Sequence, residues 1–383
     1  DALIVGRAAS FTQSRVQSSE PTKKLHVRLL IAGFQSAILV ITARTPPFVS
    51  RRALTSGFTG ITLMTQRYSI TATTRDGVEV FTLDEADRAQ AEIAPGFGNN
   101  CFAFRASEPI LEPVAFSQFC AKPTSYGIPI LFPFPNRIRD GAFTFQGKPY
   151  TVDPPRHGFV RDKAWKVLDT GASDSDGAWL RAGIDAADYA EQILHQFPFP
   201  FHLEVTYRLR DGQLDMETVA QNTGTQDMPV GFGIHPYFRL PERSAIQVPA
   251  RKRWELADSL PTGNLLDLDA PYDLREPRDT AGLTLDDIYT DVITDADGRV
   301  RCLLTDEQSQ TQTVVEFDAE QFPQIVVYTP PAPRVAICIE PNTCPTDAFN
   351  LQPRGIESNV IALGAGATVN FNVRIYSRAI ARS

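Results

Sequence analysis

The feature that most constrains this chain is a period-two alternation of apolar and polar residues, cut at short intervals by turn dipeptides. Leu203, Val205, Tyr207 and Leu209 alternate with His202, Glu204, Thr206 and Arg208; Asp211-Gly212 follows, and Leu214 to Gln221 resumes the run. Successive side chains of a strand point to opposite faces, so such a run buries one face and wets the other. Asp-Gly supplies the positive φ angles of a tight hairpin. The same grammar recurs where Tyr68 to Thr74 and Val78 to Leu83 flank Arg75-Asp76-Gly77, and where Ala142 to Phe145 runs into Gln146-Gly147. It recurs again where Val292 to Thr294 and Val300 to Leu304 flank Asp297-Gly298, and Val314 to Phe317, Ile325 to Tyr328, Val335 to Ile339 and Thr368 to Tyr376 complete the set. A strand about every ten residues predicts an all-β sandwich or barrel. The 29 Pro and 24 Phe agree, since proline interrupts helical ladders and aromatics suit half-buried sheets. One helix is expected, over Asp188 to Gln196 with Asp185 as its cap.

The chain has 383 residues and a net charge of −8, which argues against nucleic acid as a partner. The acidic excess lies after Met64: before it, Arg7, Arg15, Lys23, Lys24, Arg28, Arg44, Arg51 and Arg52 face only Asp1 and Glu20. The apolar stretch Leu29 to Ala43 falls short of the about 20 residues a membrane helix needs. Residues 1–63 therefore read as a secretory signal, an organellar transit peptide or an extension outside the native protein. They are expected to be poorly structured and outside the fold, with residues 64–383 forming one β domain. A start at Met64 implies a cytoplasmic protein, and a genuine targeting segment an exported or organellar one. Cys101, Cys120, Cys302, Cys338 and Cys344 are odd in number and lack paired spacing, which predicts reduced, buried thiols and neither a disulfide framework nor a zinc site.

Of the five histidines, His26 lies in the early segment, and His195 and His202 flank Phe197-Pro-Phe-Pro-Phe201, where structural or surface roles are expected. His157 and His235 sit instead among Gly, Pro and aromatic residues, in Pro154-Pro-Arg-His157-Gly-Phe and Gly231-Phe-Gly-Ile-His235-Pro-Tyr-Phe238. Such stretches set a rigid polar group beside aromatic surface, as in a sugar or small-molecule pocket, although spacing alone slightly favours a hydrogen-bonded core histidine. Glu340 ends the apolar run Val335 to Ile339. Burial there would raise its pKa toward that of a general base, and an exposed strand-end carboxylate is the plain alternative. No Walker loop, HExxH or GxSxG motif is present, and Gly96-Phe97-Gly98 is too short for a dinucleotide fingerprint.

Taken in order, five blocks resemble the aldose 1-epimerase (galactose mutarotase-like) family: Gly127 to Gly141, His157-Gly-Phe with Trp165, Gly231 to Phe238, Leu285 to Tyr289, and Ile339-Glu340-Pro341. The resemblance spans about residues 68–378. It implies a large antiparallel β-sandwich, or supersandwich, binding a sugar on a concave sheet face and interconverting hexose anomers without metal or nucleotide cofactor. By motif, Glu340 corresponds to the general base and His235 to the general acid, while His157, Arg137, Asn136 and Asp286 correspond to sugar-binding positions. Asp287 replaces Asp286 if the alignment slips by one residue. His235 is expected to start protonated, held so by Glu340 or Asp286. Tyr237, Phe238 or Trp165 would stack on the sugar, with at least one of them packing the core instead. The partner implied is a small sugar, with no membrane or nucleic acid, acting on a monomer or homodimer. The single glycine after His157 and the Glu340-Pro341 pair depart from the better-characterised mutarotases, which bears on the sugar more than on the chemistry. A hexose-6-phosphate 1-epimerase would use Arg139, Arg156, Arg161 or Arg239 on the phosphate, and a catalytically silent sugar-binding module would need no acid-base pair.

Overall fold

The alternating runs fold as antiparallel strands. In the computed structural model the described residues are 66–380, preceded by three short strands, Leu3–Gly6, Val27–Ile31 and Ala37–Ile41. Those three pair antiparallel with the third in the middle. The remainder of residues 1–63, and with it the expected extension or targeting role, lies outside the described residues. Among the described residues no helix is long and apolar enough to cross a membrane.

Phe201–Arg210 and Gln213–Asn222 form the hairpin read from the sequence, with Phe201, Leu203, Val205, Tyr207 and Leu209 all buried. Asp211 at φ 53° and Gly212 at φ 75° close it, and Asp76-Gly77 and Gln146-Gly147 close two further hairpins with the same pair of positive angles. The first of these hairpins begins a four-stranded sheet that runs from Tyr68–Arg75 to Asn100–Arg105. The long hairpin lies in a nine-stranded sheet running from Lys166–Ser173 through Thr368–Ala379 to Ser244–Gln247 and Arg278–Asp279. An eight-stranded sheet is ordered Leu260–Asp267, Ala250–Ala257, Asp286–Val292, Gln324–Tyr328, Ala336–Asn342, Gly233–Ile234 and Ile130–Leu131, with Tyr237–Arg239 also on Ala336–Asn342. Leu203, Val205, Phe317 and Ile375 of the first large sheet and Tyr289, Ile325, Val327, Ile337 and Ile339 of the second share one apolar core. The chain is thus a large antiparallel β-sandwich.

Two local expectations give way. The segment after Asp185 forms a 3-10 turn, Ala186–Tyr189, and then irregular turns. Gln192, Ile193 and His195 donate to carbonyls three, four and five residues back, so no α-helical ladder is sustained. The chain returns at His202 to pair with Asp185, and the Asp185 carboxylate meets His202 Nδ1 at 2.8 Å instead of capping a helix. The turn at Asp297-Gly298 forms, but it joins two sheets: Asp286–Val292 pairs with Gln324–Tyr328, whereas Arg299–Asp306 pairs with Thr311–Asp318. Trp165 and Phe238 are both buried in the core, Trp165 donating Nε1–H to the Val160 carbonyl at 3.1 Å, which leaves Tyr237 beside His235.

Candidate active site

The strand Ala336–Asn342 is buried along its whole length, flanked by Gln324–Tyr328 on one side and by two short strands on the other. Gly233 pairs with Asn342 and Tyr237 with Cys338, the same register on both sides of a gap. His235 therefore falls directly across from Glu340. Pro236 has no N–H to give the ladder, and the His235 N–H donates to the Pro129 carbonyl at 2.9 Å. Cross-strand partners share a face, and His235 Nε2 lies 3.1 Å from Glu340 Oε1, with the residues 8% and 2% exposed.

Period two places Cys338 and Glu340 on one face, joined there by Tyr237, Tyr328 and Val326 through their pairings. Asp286 pairs with Tyr328 and shares that face, whereas Asp287 points to the other. There Asp287 meets Arg253 at 3.6 Å, and the Arg253 guanidinium covers Tyr272 at 3.7 Å. Asp286 is thus the acid beside Glu340, and Asp287 is a structural partner. Trp254, Ile288 and Val326 make an apolar cluster on the Glu340 face.

Loops bring in the rest. Asn136 (φ 53°) and His157 (φ 64°) are both left-handed, and the His157 N–H donates to the Asn136 carbonyl at 2.6 Å. This turn sets the His157 ring edge-on to His235 at 5.5 Å, with its Nδ1 buried and unpartnered. Arg137 donates to the Ser259 carbonyl at 3.4 Å. Gly158 carries the turn past the Phe132 backbone: at φ 64° a Cβ would sit 2.0 Å from the Phe132 oxygen. Gly158→Ala is expected to cost about 2–5 kcal/mol, a left-handed penalty plus overpacking, read as a lowered denaturation midpoint with loss of the His157 position.

The sequence reading did not single out Arg334 or Tyr328 for the site. Arg334 forks onto Glu112 and lies between the rings of Tyr126 (4.5 Å) and Tyr237 (4.1 Å), and Tyr237 stacks on His235 at 4.6 Å. Tyr328 stands edge-on to His235 at 6.0 Å. Strand register places Tyr237 and Tyr328 beside His235, and Arg334 reaches them from the connection between Gln324–Tyr328 and Ala336–Asn342.

Burial pushes the Glu340 carboxyl well above its ordinary range, and the nearby Asp286 carboxylate pushes the same way against the opposing Arg137. The expectation that His235 starts protonated is corrected: burial, with Arg161 and Arg334 adding to it, pulls the imidazole down to about 3 despite the carboxyl beside it. Charging both partners in a desolvated site costs more than their attraction returns. Both shifts favour the uncharged forms, a Glu340 carboxyl beside a neutral His235 imidazole at 3.1 Å. His157 is likewise held well below its ordinary value, by burial and by its neighbours His235 and Arg161.

Residues 105–376 match the aldose 1-epimerase family, and the chain belongs to that family. It is 24% identical over 264 residues to the uncharacterized protein YihR of Escherichia coli, covering 64% of this chain and 77% of YihR. A second uncharacterized Escherichia coli protein, YphB, is 24% identical over 176 residues, 45% of this chain and 53% of its own length. Among solved structures, a galactose mutarotase-like protein from Clostridium acetobutylicum superposes with a TM-score of 0.74 at 22% identity, covering 82% of this chain and 99% of that one. A galactose 1-epimerase from Lactobacillus acidophilus superposes at 0.67 with 14% identity, covering 83% and 100%. At such identities the superpositions speak to the fold.

Proposed function

We propose that the protein is an aldose 1-epimerase interconverting the α and β anomers of a hexose, with Glu340 and His235 moving the protons. The observation that carries this reading is the buried 3.1 Å contact between the two side chains on one sheet face. Mutarotation takes a proton from the anomeric hydroxyl and gives one to the ring oxygen, so it needs one base and one acid sharing one proton. The resting pair holds that proton on the carboxyl. Sugar hydroxyls and Arg137 beside Glu340 favour the carboxylate, and the proton passes to His235. Glu340 then accepts the anomeric proton as His235 protonates the ring oxygen. The C1–O5 bond breaks to give the aldehyde, rotation about C1–C2 presents its other face, and reclosure with the roles reversed gives the other anomer. Positioned acid and base groups each contribute about 10²- to 10⁴-fold.

His157, Arg137, Asn136 and Asp286 are assigned to the sugar hydroxyls, and Tyr237 or Tyr328 to its C–H face. Asp286→Ala is expected to lower kcat/KM by about 10- to 150-fold, mostly through KM, the loss of a hydrogen bond to a charged group worth about 1.5–3 kcal/mol. Asp287→Ala acts instead on thermal stability, since it strands Arg253. A kcat/KM loss in Asp287→Ala larger than in Asp286→Ala would reverse the assignment.

One observation favours a hexose 6-phosphate as the sugar. Of the four arginines considered for the phosphate, Arg139 pairs with Asp347 at 3.3 Å and Arg239 with Asp306 at 2.7 Å. Arg156 and Arg161 have no carboxylate within 4.0 Å among the described residues; the charge of both is felt by His157, and that of Arg161 by His235 as well. Exchange NMR between α and β anomeric protons, run on glucose, galactose and their 6-phosphates, tests both readings. Exchange faster with the free sugars supports the hexose. Preference for the phosphates, lost in Arg161→Met, supports the phosphorylated substrate. No acceleration of any of the four defeats both and leaves the silent sugar-binding module.

A further inference from the structure

The catalytic pair has a third neighbour that mutarotation does not use. Cys338 lies two residues before Glu340 on the same face of the same strand, and the ligand atoms of His235, Cys338 and Glu340 all lie within 4.8 Å of one another, each residue buried. We propose that these three side chains form a site for a borderline-soft divalent cation, zinc above all, whose occupation blocks the sugar.

The donor set is an imidazole, a thiol and a carboxyl, the mixture that zinc takes, and three protein ligands leave the fourth position of a tetrahedral ion to water. Bonds of about 2.0–2.3 Å to a tetrahedral zinc put its ligands roughly 3.3–3.7 Å apart. The His235–Glu340 pair is already at 3.1 Å, so closure asks only for a modest rotation of Cys338 toward it. The backbone ladder fixes all three positions: Cys338 and Glu340 alternate on one strand, and His235 stands across from Glu340 on its neighbour. Binding displaces two protons, that of the Cys338 thiol and the one shared by the pair, so Zn²⁺ with a thiolate and a carboxylate leaves no net charge in the buried site. The other ring nitrogen of His235, Nδ1, is buried with no hydrogen-bond partner. Metal-bound histidines are ordinarily oriented by such a partner, whose loss costs roughly 10–100-fold in affinity. The site is accordingly an exchangeable, inhibitory one and not a resident cofactor site.

The proposal's inhibition arm rests on the mutarotase reading; its binding arm does not. Titrating the full chain with Co²⁺ in the absence of sugar is expected to give a thiolate-to-cobalt charge-transfer absorption. Zn²⁺ should abolish it, and it should be missing in Cys338→Ser and weakened in Glu340→Gln. In the activity assay Zn²⁺ should inhibit, excess sugar should relieve the inhibition, and Cys338→Ser should raise the half-inhibiting concentration by about tenfold or more. No absorption in wild type, or one unchanged in Cys338→Ser, overturns the site. If Cys338→Ser does not fold, Cys338→Ala takes its place with the same expected readings. A protein that gives the absorption yet accelerates no sugar keeps the metal site and loses the enzymatic reading. One that accelerates mutarotation without giving the absorption loses the metal site alone.

Discussion

Glu340→Gln is expected to lower kcat/KM for mutarotation by about 10²- to 10⁴-fold while leaving sugar affinity within a few-fold of wild type. The amide keeps the volume of the carboxyl and sets a neutral polar group beside His235 Nε2, so the packing around Ala336–Asn342 survives. What is lost is the base: an amide cannot accept the anomeric proton near neutral pH. Because the resting carboxyl is itself protonated, the exchange removes no buried charge, and thermal stability should stay within about 1 kcal/mol. Steady-state polarimetry together with calorimetric sugar binding separates the two quantities. A variant that lost binding and turnover equally would make Glu340 a binding residue and defeat its assignment as base.

His235→Asn should give a loss of similar size, about 10²- to 10⁴-fold, for a complementary reason. Asparagine retains a polar group opposite Glu340 but cannot carry the proton to the ring oxygen. Since one proton serves both residues, they act as a unit: the double variant should be little slower than either single one, as is general for groups in one proton relay. Multiplicative losses in the double variant would show that the two side chains work independently, which the 3.1 Å contact argues against.

Much of this fold is legible in the sequence because strand period and turn chemistry are local. Asp76-Gly77, Gln146-Gly147 and Asp211-Gly212 all close the hairpins they suggest, and Phe201–Arg210 buries every second residue as written. The Asp185 to Gln196 segment misled because its polar and apolar spacing resembles a helix, while the Asp185 carboxylate that would cap it is held by His202 across the strand pair. Family motifs pointed to residues that the fold brings together but not to their relations. That His235 faces Glu340 depends on two very short strands held in one register across Pro236, which no periodicity displays. The choice of Asp286 over Asp287 is likewise decided by the pairing of Asp286 with Tyr328. The low affinity of His235 for a proton was not foreseen, because the carboxyl beside it was legible and the burial around both was not. Arg334 was missed for the same reason: its partners Glu112, Tyr126 and Tyr237 come from segments far from it in the chain.

The most direct test of the central claim is polarimetry of freshly dissolved α-glucose and α-galactose, and of their 6-phosphates, with the protein and with Glu340→Gln in parallel. The account predicts that at least one of these sugars reaches its equilibrium rotation markedly faster with wild type, and at nearly the buffer rate with the variant. Relaxation at the buffer rate with wild type for all of them, or acceleration that Glu340→Gln fully retains, would contradict it.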